Sequence, residues 1–235
     1  MKKTFLMTIT MVLAGFITAV FMCVQMLQSA ERVSAFSDAK LCIVLDAGHG
    51  GIDGGVVGVA TGTKESDVNL SIVFCLKDIL DDMGFEVVLT RKTEGGLYGN
   101  PTKGFKKRDM QRRKEIIEEC KPSFVLSIHQ NFFPSQSSRG GQVFYNKQDE
   151  RSVTLANTLQ TQLNDIYQGQ GVKGRQASAG NYFMLECTPY PSVIIECGFL
   201  SNPTEDRLLV SASWQEKLSH AIAAGVAAYL SEFAV

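Results

Sequence analysis

The sequence is short of histidine, with three in 235 residues, and it lacks a charge excess of either sign, with 23 Lys and Arg against 24 Asp and Glu. A net charge of −1 and no interleaving of basic and aromatic residues argue against a nucleic-acid partner, and the lack of an acidic tail argues against a disordered chain. No internal repeat and no low-complexity linker interrupts residues 38–235, so these read as one domain. The six cysteines do not form a disulfide framework. Cys23 lies in an apolar N-terminal run, Cys42 and Cys197 in strand patterns, and Cys75 and Cys120 in helical ones, where a thiol serves as a small buried group. Cys187 falls in a loop and carries no assignment. The run Asp46-Ala47-Gly48-His49-Gly50-Gly51-Ile52-Asp53-Gly54-Gly55 is rich in glycine but lacks the Gly-Lys-Ser/Thr ending of a nucleotide loop. Asp53 stands where a dinucleotide fingerprint needs its third glycine, so nucleotide binding is set aside.

The first thirty residues differ from the rest. Lys2 and Lys3 precede an uncharged, mostly apolar stretch from Phe5 to Leu27, and the first acid is Glu31. Residues 1–30 therefore read as an export signal or a single membrane anchor. Gln28-Ser29-Ala30 is a poor cleavage site because Gln28 is not small, so cleavage and retention both stand. Val20-Phe21-Met22 offers no small residue before Cys23, which argues against lipidation there.

Beyond the leader, apolar runs alternate with helical patterns, which predicts an α/β fold. Strands are expected at 41–45, 86–90, 124–129, 142–145, 182–185 and 192–197. A first helix should follow Ser66 and stop at Gly84, a good residue just past a helix end. A second should run from about Asp109 to Cys120, ahead of Pro122. Val153, Ala156, Leu159, Leu163 and Ile166 give a third its 3.6-residue stripe. A last helix should follow Ser213, with Glu216 completing a capping box, and a short one should begin at Asn202-Pro203.

This placement gathers the chemistry. Leu41-Cys42-Ile43-Val44-Leu45 leads into His49, Phe124-Val125-Leu126-Ser127-Ile128 leads into His129, and Ser192-Val193-Ile194-Ile195 leads into Glu196. Strand ends along one edge of an open α/β sheet are where such folds build sites. Glu65 lies in the loop before the first helix. Two imidazoles and one carboxylate make a three-ligand zinc site with one position open for water, and a separate carboxylate can move that water's protons. Each residue alone has a duller reading: a lone strand-end histidine is usually structural, and Glu65 alone would be a solvated acid. Glu196, at the end of a buried strand, needs a compensating partner. Asp46 and Asp53 are candidates to orient an imidazole, although Asp46 could equally satisfy turn amides. His220 reads as an ordinary helix residue. Lys103, Lys106, Lys107, Arg108, Arg112, Arg113 and Lys114 are interspersed with acids and read as a solvated helix face.

The four segments LDAGHGG, KESDVNL, LSIHQN and IIECGFLSNPTED, in this order and spacing, resemble the zinc-dependent N-acetylmuramoyl-L-alanine amidases of bacterial cell walls. The resemblance spans about residues 41–230. It implies a single α/β domain with a six-stranded, mostly parallel twisted sheet flanked by helices, residues 38–235 forming the catalytic domain. It also implies one Zn²⁺ per chain on His49, Glu65 and His129, with Glu196 as the catalytic acid and base. Arg175 matches a family position near the substrate and could pair with a stem carboxylate; Asn131 and the Gly140-Gly141 backbone are further candidates for substrate contact. The segments 103–111 and 139–145 look most like the spore-cortex branch, whose members strip stem peptides so that muramic-δ-lactam can form. The implied partner is peptidoglycan, with no nucleic acid, and with the membrane itself if the leader is retained. No autoinhibitory insert or wall-binding repeat is evident, so targeting is expected to rest on the N-terminal segment or a partner. Two rival readings remain: a zinc peptidase cutting within the stem, and a peptidoglycan-binding pseudoenzyme. Because separate loops supply the ligands, an accessory lipoprotein or other activating partner that orders the site is also compatible with the sequence.

Overall fold

The computed structural model describes residues 40–232; the expected leader, 1–30, lies outside the described residues. Six strands form one sheet: β1 (Cys42–Ala47), β2 (Glu86–Leu89), β3 (Phe124–Asn131), β4 (Gln142–Tyr145), β5 (Ser178–Ala179) and β6 (Ser192–Phe199). Their order is β2-β1-β3-β6-β4-β5, and only the β4–β6 pairing is antiparallel. The helices are α1 (Glu65–Asp82), α2 (Phe105–Cys120), α3 (Glu150–Gln168), α4 (Phe183–Glu186), α5 (Pro203–Leu209) and α6 (Ala212–Glu232).

Both faces of the central strands are covered, which is why β1, β3 and β6 read as nearly continuous apolar runs. Side chains alternate between faces along each strand. Ile43, Leu45, Phe124, Leu126, Ile128, Val193 and Ile195 join Leu76, Leu159, Leu163, Leu218 and Ile222 of α1, α3 and α6 in the larger core. Val44, Val125 and Ile194 turn the other way, onto Ile117 of α2 and Met184 and Leu185 of α4. The alternation carries His129 and Glu196 onto this second, more thinly covered face. There they are direct cross-strand neighbours: the β3–β6 register pairs His129 with Glu196.

The sequence expectations hold for five strands and need correction at several elements. Residues 182–185 are not a strand; Phe183–Glu186 makes one helical turn, with Cys187 at its C-terminal cap. Met184 and Leu185 are adjacent and both buried within that turn, beside the exposed Phe183. The sixth strand is the two-residue β5, too short to leave a periodic signal. Helix α2 starts at Phe105, four residues before Asp109, because Gly104 adopts a left-handed φ of 81° that reverses the chain there. Helix α6 starts at Ala212, so Ser213 lies inside its first turn; the Ser211 carbonyl accepts the first amides, from Trp214 and Gln215. The five described cysteines are free thiols.

The short α5 begins as its sequence predicts. Asn202 Oδ1 accepts the amides of Thr204 and Glu205, both at 3.0 Å, with Pro203 at the first position. Its two acids then reach outward. Asp206 accepts from Ala60 N (2.6 Å), Thr61 N (2.9 Å) and Thr61 Oγ1 (2.6 Å). Glu205 accepts from Gly140 N (2.7 Å) and Phe199 N (2.8 Å). One turn of helix thus pins the loop before α1 and the loop before β4. Removing the Asp206 carboxylate strips three bonds at once; Asp206→Ala is expected to cost about 2–3 kcal/mol in thermal or urea unfolding. It should also speed amide exchange at Ala60 and Thr61 selectively, whereas uniform exchange across the domain would contradict the pinning role.

Candidate metal and proton-transfer site

The site is assembled on two buried guanidinium groups. Asp46, the β1 residue facing α2, accepts hydrogen bonds from Thr90 Oγ1 (2.7 Å) and Ser127 Oγ and forms an ion pair with Arg113 Nη1. Burial pushes its carboxyl up, but Arg113 and the two hydroxyls outweigh that and hold it at about 2. Arg113 also donates to Ala47 O (2.8 Å) and His49 O (2.6 Å), and its Nε donates to Asp109 Oδ2 (2.7 Å). Arg91 donates to Ala47 O (2.9 Å), Gly48 O (3.1 Å) and Ser66 O (2.7 Å). Three successive carbonyls of the β1 loop are therefore held by two arginines, and Arg91 joins that loop to the start of α1. Arg113 is 1% exposed, so it is not part of a solvated helix face as its sequence neighbours suggest.

On this support the loop turns sharply. His49 has φ of 61°, an uncommon conformation for a side chain other than glycine. Its Nδ1 meets Asp53 Oδ1 at 3.0 Å, and its Nε2 lies 3.3 Å from Glu65 Oε1. Glu65, the first residue of α1 rather than a loop residue, also reaches His129 Nδ1 at 3.0 Å. Burial raises the Glu65 carboxyl, but the two imidazoles hold it well below the usual carboxylate range. Its oxygens further accept from Gln130 N (3.1 Å), Asn69 Nδ2 (3.3 Å) and Val56 N (3.0 Å). Glycines make the room. A Cβ at Gly48 would overlap the His129 ring, and one at Gly55 would overlap the Glu65 carboxylate.

The ligand atoms of His49, Glu65 and His129 lie within 4.8 Å of one another. Tetrahedral zinc with bonds of about 2.0–2.1 Å has ligand edges of about 3.4 Å, close to the 3.3 and 3.0 Å measured from Glu65 to the two imidazoles. This donor set fits one metal ion. Glu196 stands beside it, with its Oε2 shut off from solvent and without a hydrogen-bond partner among the described residues. Burial pushes its carboxyl up to about 7, with His129 pulling it down and the Glu65 carboxylate adding to the rise by smaller amounts.

The four residues singled out from sequence therefore meet. Asp53 orients an imidazole as expected; Asp46 does not, because it is committed to Arg113. Asn131 is half-buried at the end of β3, past a register shift that follows His129. Arg175 donates to Arg139 O (2.9 Å) and Gln142 Oε1 (3.4 Å) and lies 4.9 Å over the Phe199 ring. Since Gln142 pairs with Glu196 in register, Arg175 flanks the acid's strand. The Gly140 amide is taken by Glu205 and is not free for substrate. His220 is exposed on α6. Asn69, Arg91 and Arg113 were not singled out for the site from sequence. Asn69 was within reach, since it lies four residues from Glu65 and so on the same helical face.

The residues 43–228 match the N-acetylmuramoyl-L-alanine amidase family model. A germination-specific N-acetylmuramoyl-L-alanine amidase of Bacillus subtilis is 35% identical over 193 residues, covering 81% of this chain and 80% of that one. The amidase AmiA of Escherichia coli is 28% identical, covering 84% and 78%. Among solved structures, the CwlD amidase of Clostridioides difficile, in complex with the GerS lipoprotein, superposes with a TM-score of 0.78 at 35% identity, covering 82% of this chain and 100% of that one.

Two outcomes follow from the site's electrostatics. Arg113→Met leaves Asp46 buried and unpaired, which should cost about 3–5 kcal/mol of stability and weaken zinc affinity in chelator competition. The second concerns Glu196 in chelator-stripped protein. Folding raises its pKa from about 4.3 to about 7. The folded state then keeps a proton that the unfolded state has lost, so this group costs stability as pH rises through that window, and the cost is complete above pH 7. Stripped Glu196→Gln should therefore exceed wild type by about 2–3 kcal/mol at pH 8 and by little at pH 4.5. A gap independent of pH would contradict the raised pKa.

Proposed function

The chain belongs to the N-acetylmuramoyl-L-alanine amidase family, and from that premise we propose a specific bond, metal and residue assignment. It is an amidase of peptidoglycan. The bond we assign is the amide between the lactyl group of N-acetylmuramic acid and the L-alanine of the stem. The observation that carries the assignment is Glu196, whose Oε2 is buried without a partner, beside a His49–Glu65–His129 donor set, since binding alone needs no group able to carry a proton.

Amides resist neutral water. One Zn²⁺ held by His49, Glu65 and His129 would supply Lewis acidity, lowering the pKa of water from about 15.7 to about 7 and polarising the carbonyl. The protein's part is positional and proton-carrying. Asp53 fixes the tautomer and direction of His49, and Asn69 with the Gln130 amide fixes Glu65. Glu196 accepts the proton of the attacking water as oxygen bonds to the lactyl carbon. As the C–N bond breaks, the same carboxyl returns that proton to the departing nitrogen of L-alanine. Arg175, held along the strand beside Glu196, is assigned to a stem carboxylate, and Asn131 to the substrate's polar backbone.

The proposed setting is the spore cortex, where stem removal would precede muramic-δ-lactam formation. The germination-specific B. subtilis relative supports this. Export through residues 1–30, as a cleaved signal or a retained anchor, is proposed with it, because the substrate lies outside the cytoplasm. A lipoprotein partner is proposed on the precedent of the C. difficile relative solved with one.

Glu196→Gln should retain one zinc per chain and lose at least a hundredfold in turnover, whereas His49→Ala should lose both metal and turnover. Mass analysis of digested peptidoglycan should find intact stems with a free N-terminal L-alanine. Near-wild-type turnover by Glu196→Gln, or cuts inside the stem, would overturn the assignment.

A further inference from the structure

A cavity of about 210 Å³ opens directly off the donor set, with His49, Gly48 and His129 in its wall. Its far side is formed by Tyr182, Phe183 and Met184 at α4, and its flank by Lys106 and Met110 of α2. The lining is mainly apolar, and its charged groups are engaged with one another. Asp46 and Asp109 pair with Arg113, and Lys106 Nζ lies 3.4 Å from Asp53. The opposite flank, beyond β6, has a different chemistry: Arg139, Lys173 and Arg175 line a polar groove with Ser137 and Ser138, Arg139 lying 3.6 Å from Glu205 while Lys173 and Arg175 have no carboxylate partner among the described residues.

The substrate of the proposed amidase is divided in the same way. On one side of the scissile amide stands a sugar ring whose lactyl carboxyl is consumed in the bond, leaving it neutral. On the other stands a peptide that carries free carboxylates. We propose that the α2–α4 cavity is the subsite for the N-acetylmuramoyl ring, that Tyr182 and Phe183 are its recognition residues, and that the cationic groove takes the stem. This inference rests on the amidase reading and adds the direction in which the substrate lies.

The aromatic pair is built for recognition. Tyr182 and Phe183 are 46% and 47% exposed at the edge of this cavity. Tyr182 stands edge-on to Phe144, with ring centroids 5.5 Å apart, and a Cβ at Gly180 would overlap its ring. One side of the ring is thus held against Gly180 and Phe144 before any ligand arrives. A preset amphipathic ring suits the C–H face and hydroxyl rim of a pyranose and costs little entropy on binding. The volume also limits the occupant. It is below the roughly 300–1,000 Å³ of pockets for drug-sized ligands, enough for one ring and too little for a helix or strand of a partner protein.

Two measurements test this. The first is binding of the disaccharide N-acetylglucosaminyl-N-acetylmuramic acid, as its neutral lactyl amide, to zinc-loaded full chain in the Glu196→Gln background, followed by ligand-observed NMR. Adding Phe183→Ala or Tyr182→Ala should weaken binding at least fivefold. Phe183→Leu, which keeps apolar bulk but removes the ring, should do the same with an unchanged melting temperature. The second is cleavage by chains with Glu196 intact of two substrates, one a stem on N-acetylmuramic acid and the other the same stem on D-lactic acid alone. Wild type should favour the muramoyl substrate at least tenfold in kcat/KM. The aromatic variants should lose that preference through KM while cleaving the lactoyl substrate within twofold of wild type. Equal losses on both substrates, unchanged disaccharide affinity, or no sugar preference in wild type would overturn the subsite. Disaccharide binding that depends on Phe183 in a chain that cuts no lactyl amide would overturn the amidase reading and leave the subsite standing.

Discussion

The site depends on the buried ion pair between Asp46 and Arg113. An arginine away from solvent is expensive unless its donors are matched, and here they are spent on a carboxylate, on Asp109 and on the carbonyls of Ala47 and His49. That allocation turns a stability cost into geometry. The carbonyls cannot move without stranding a charge, so His49 keeps its left-handed backbone, and its imidazole arrives where Glu65 and His129 already converge. Arg91 extends the constraint to Ser66, next to the carboxylate ligand. The donor set is thus fixed from beneath by groups that are not part of it.

Most of the site was legible in the sequence, because its parts follow apolar strand runs, although β3 and β6 continue past the polar residue and leave His129 and Glu196 inside their strands rather than at the ends. His49, His129 and Glu196 announce themselves this way. Arg113 does not. It sits among Arg112, Lys114 and Glu115 in a run whose composition signals a wet surface, and only the tertiary position of α2 sinks one residue of that run against β1. The misread element, 182–185, fails for a related reason. Tyr-Phe-Met-Leu has strand-like composition, but the chain spends two residues burying Met184 and Leu185 and two exposing Tyr182 and Phe183. That division, invisible to composition, produces the aromatic wall. The glycines of the loop after β1 carry no sign in the sequence of which side chains approach them: Gly48 meets His129, 81 residues away in the chain.

Glu196 shows a tension between stability and chemistry. A carboxyl buried without a partner weakens the fold at neutral pH, and an amide in its place would relieve the strain. The protein keeps the acid, and with it a group able to take up and give back a proton, which an amide cannot do.

The cross-strand pairing of His129 with Glu196 also sets when the enzyme can act. These residues meet only when β3 and β6, more than sixty residues apart, have zipped into register, and a slip of one residue would turn either side chain to the other face. His49, Asp53 and Glu65 are close in sequence and meet locally, but Glu196 reaches them only through the β3–β6 pairing, and pairings of such long sequence separation are slow to form. The completed site is therefore a product of the whole sheet rather than of any one segment of the chain.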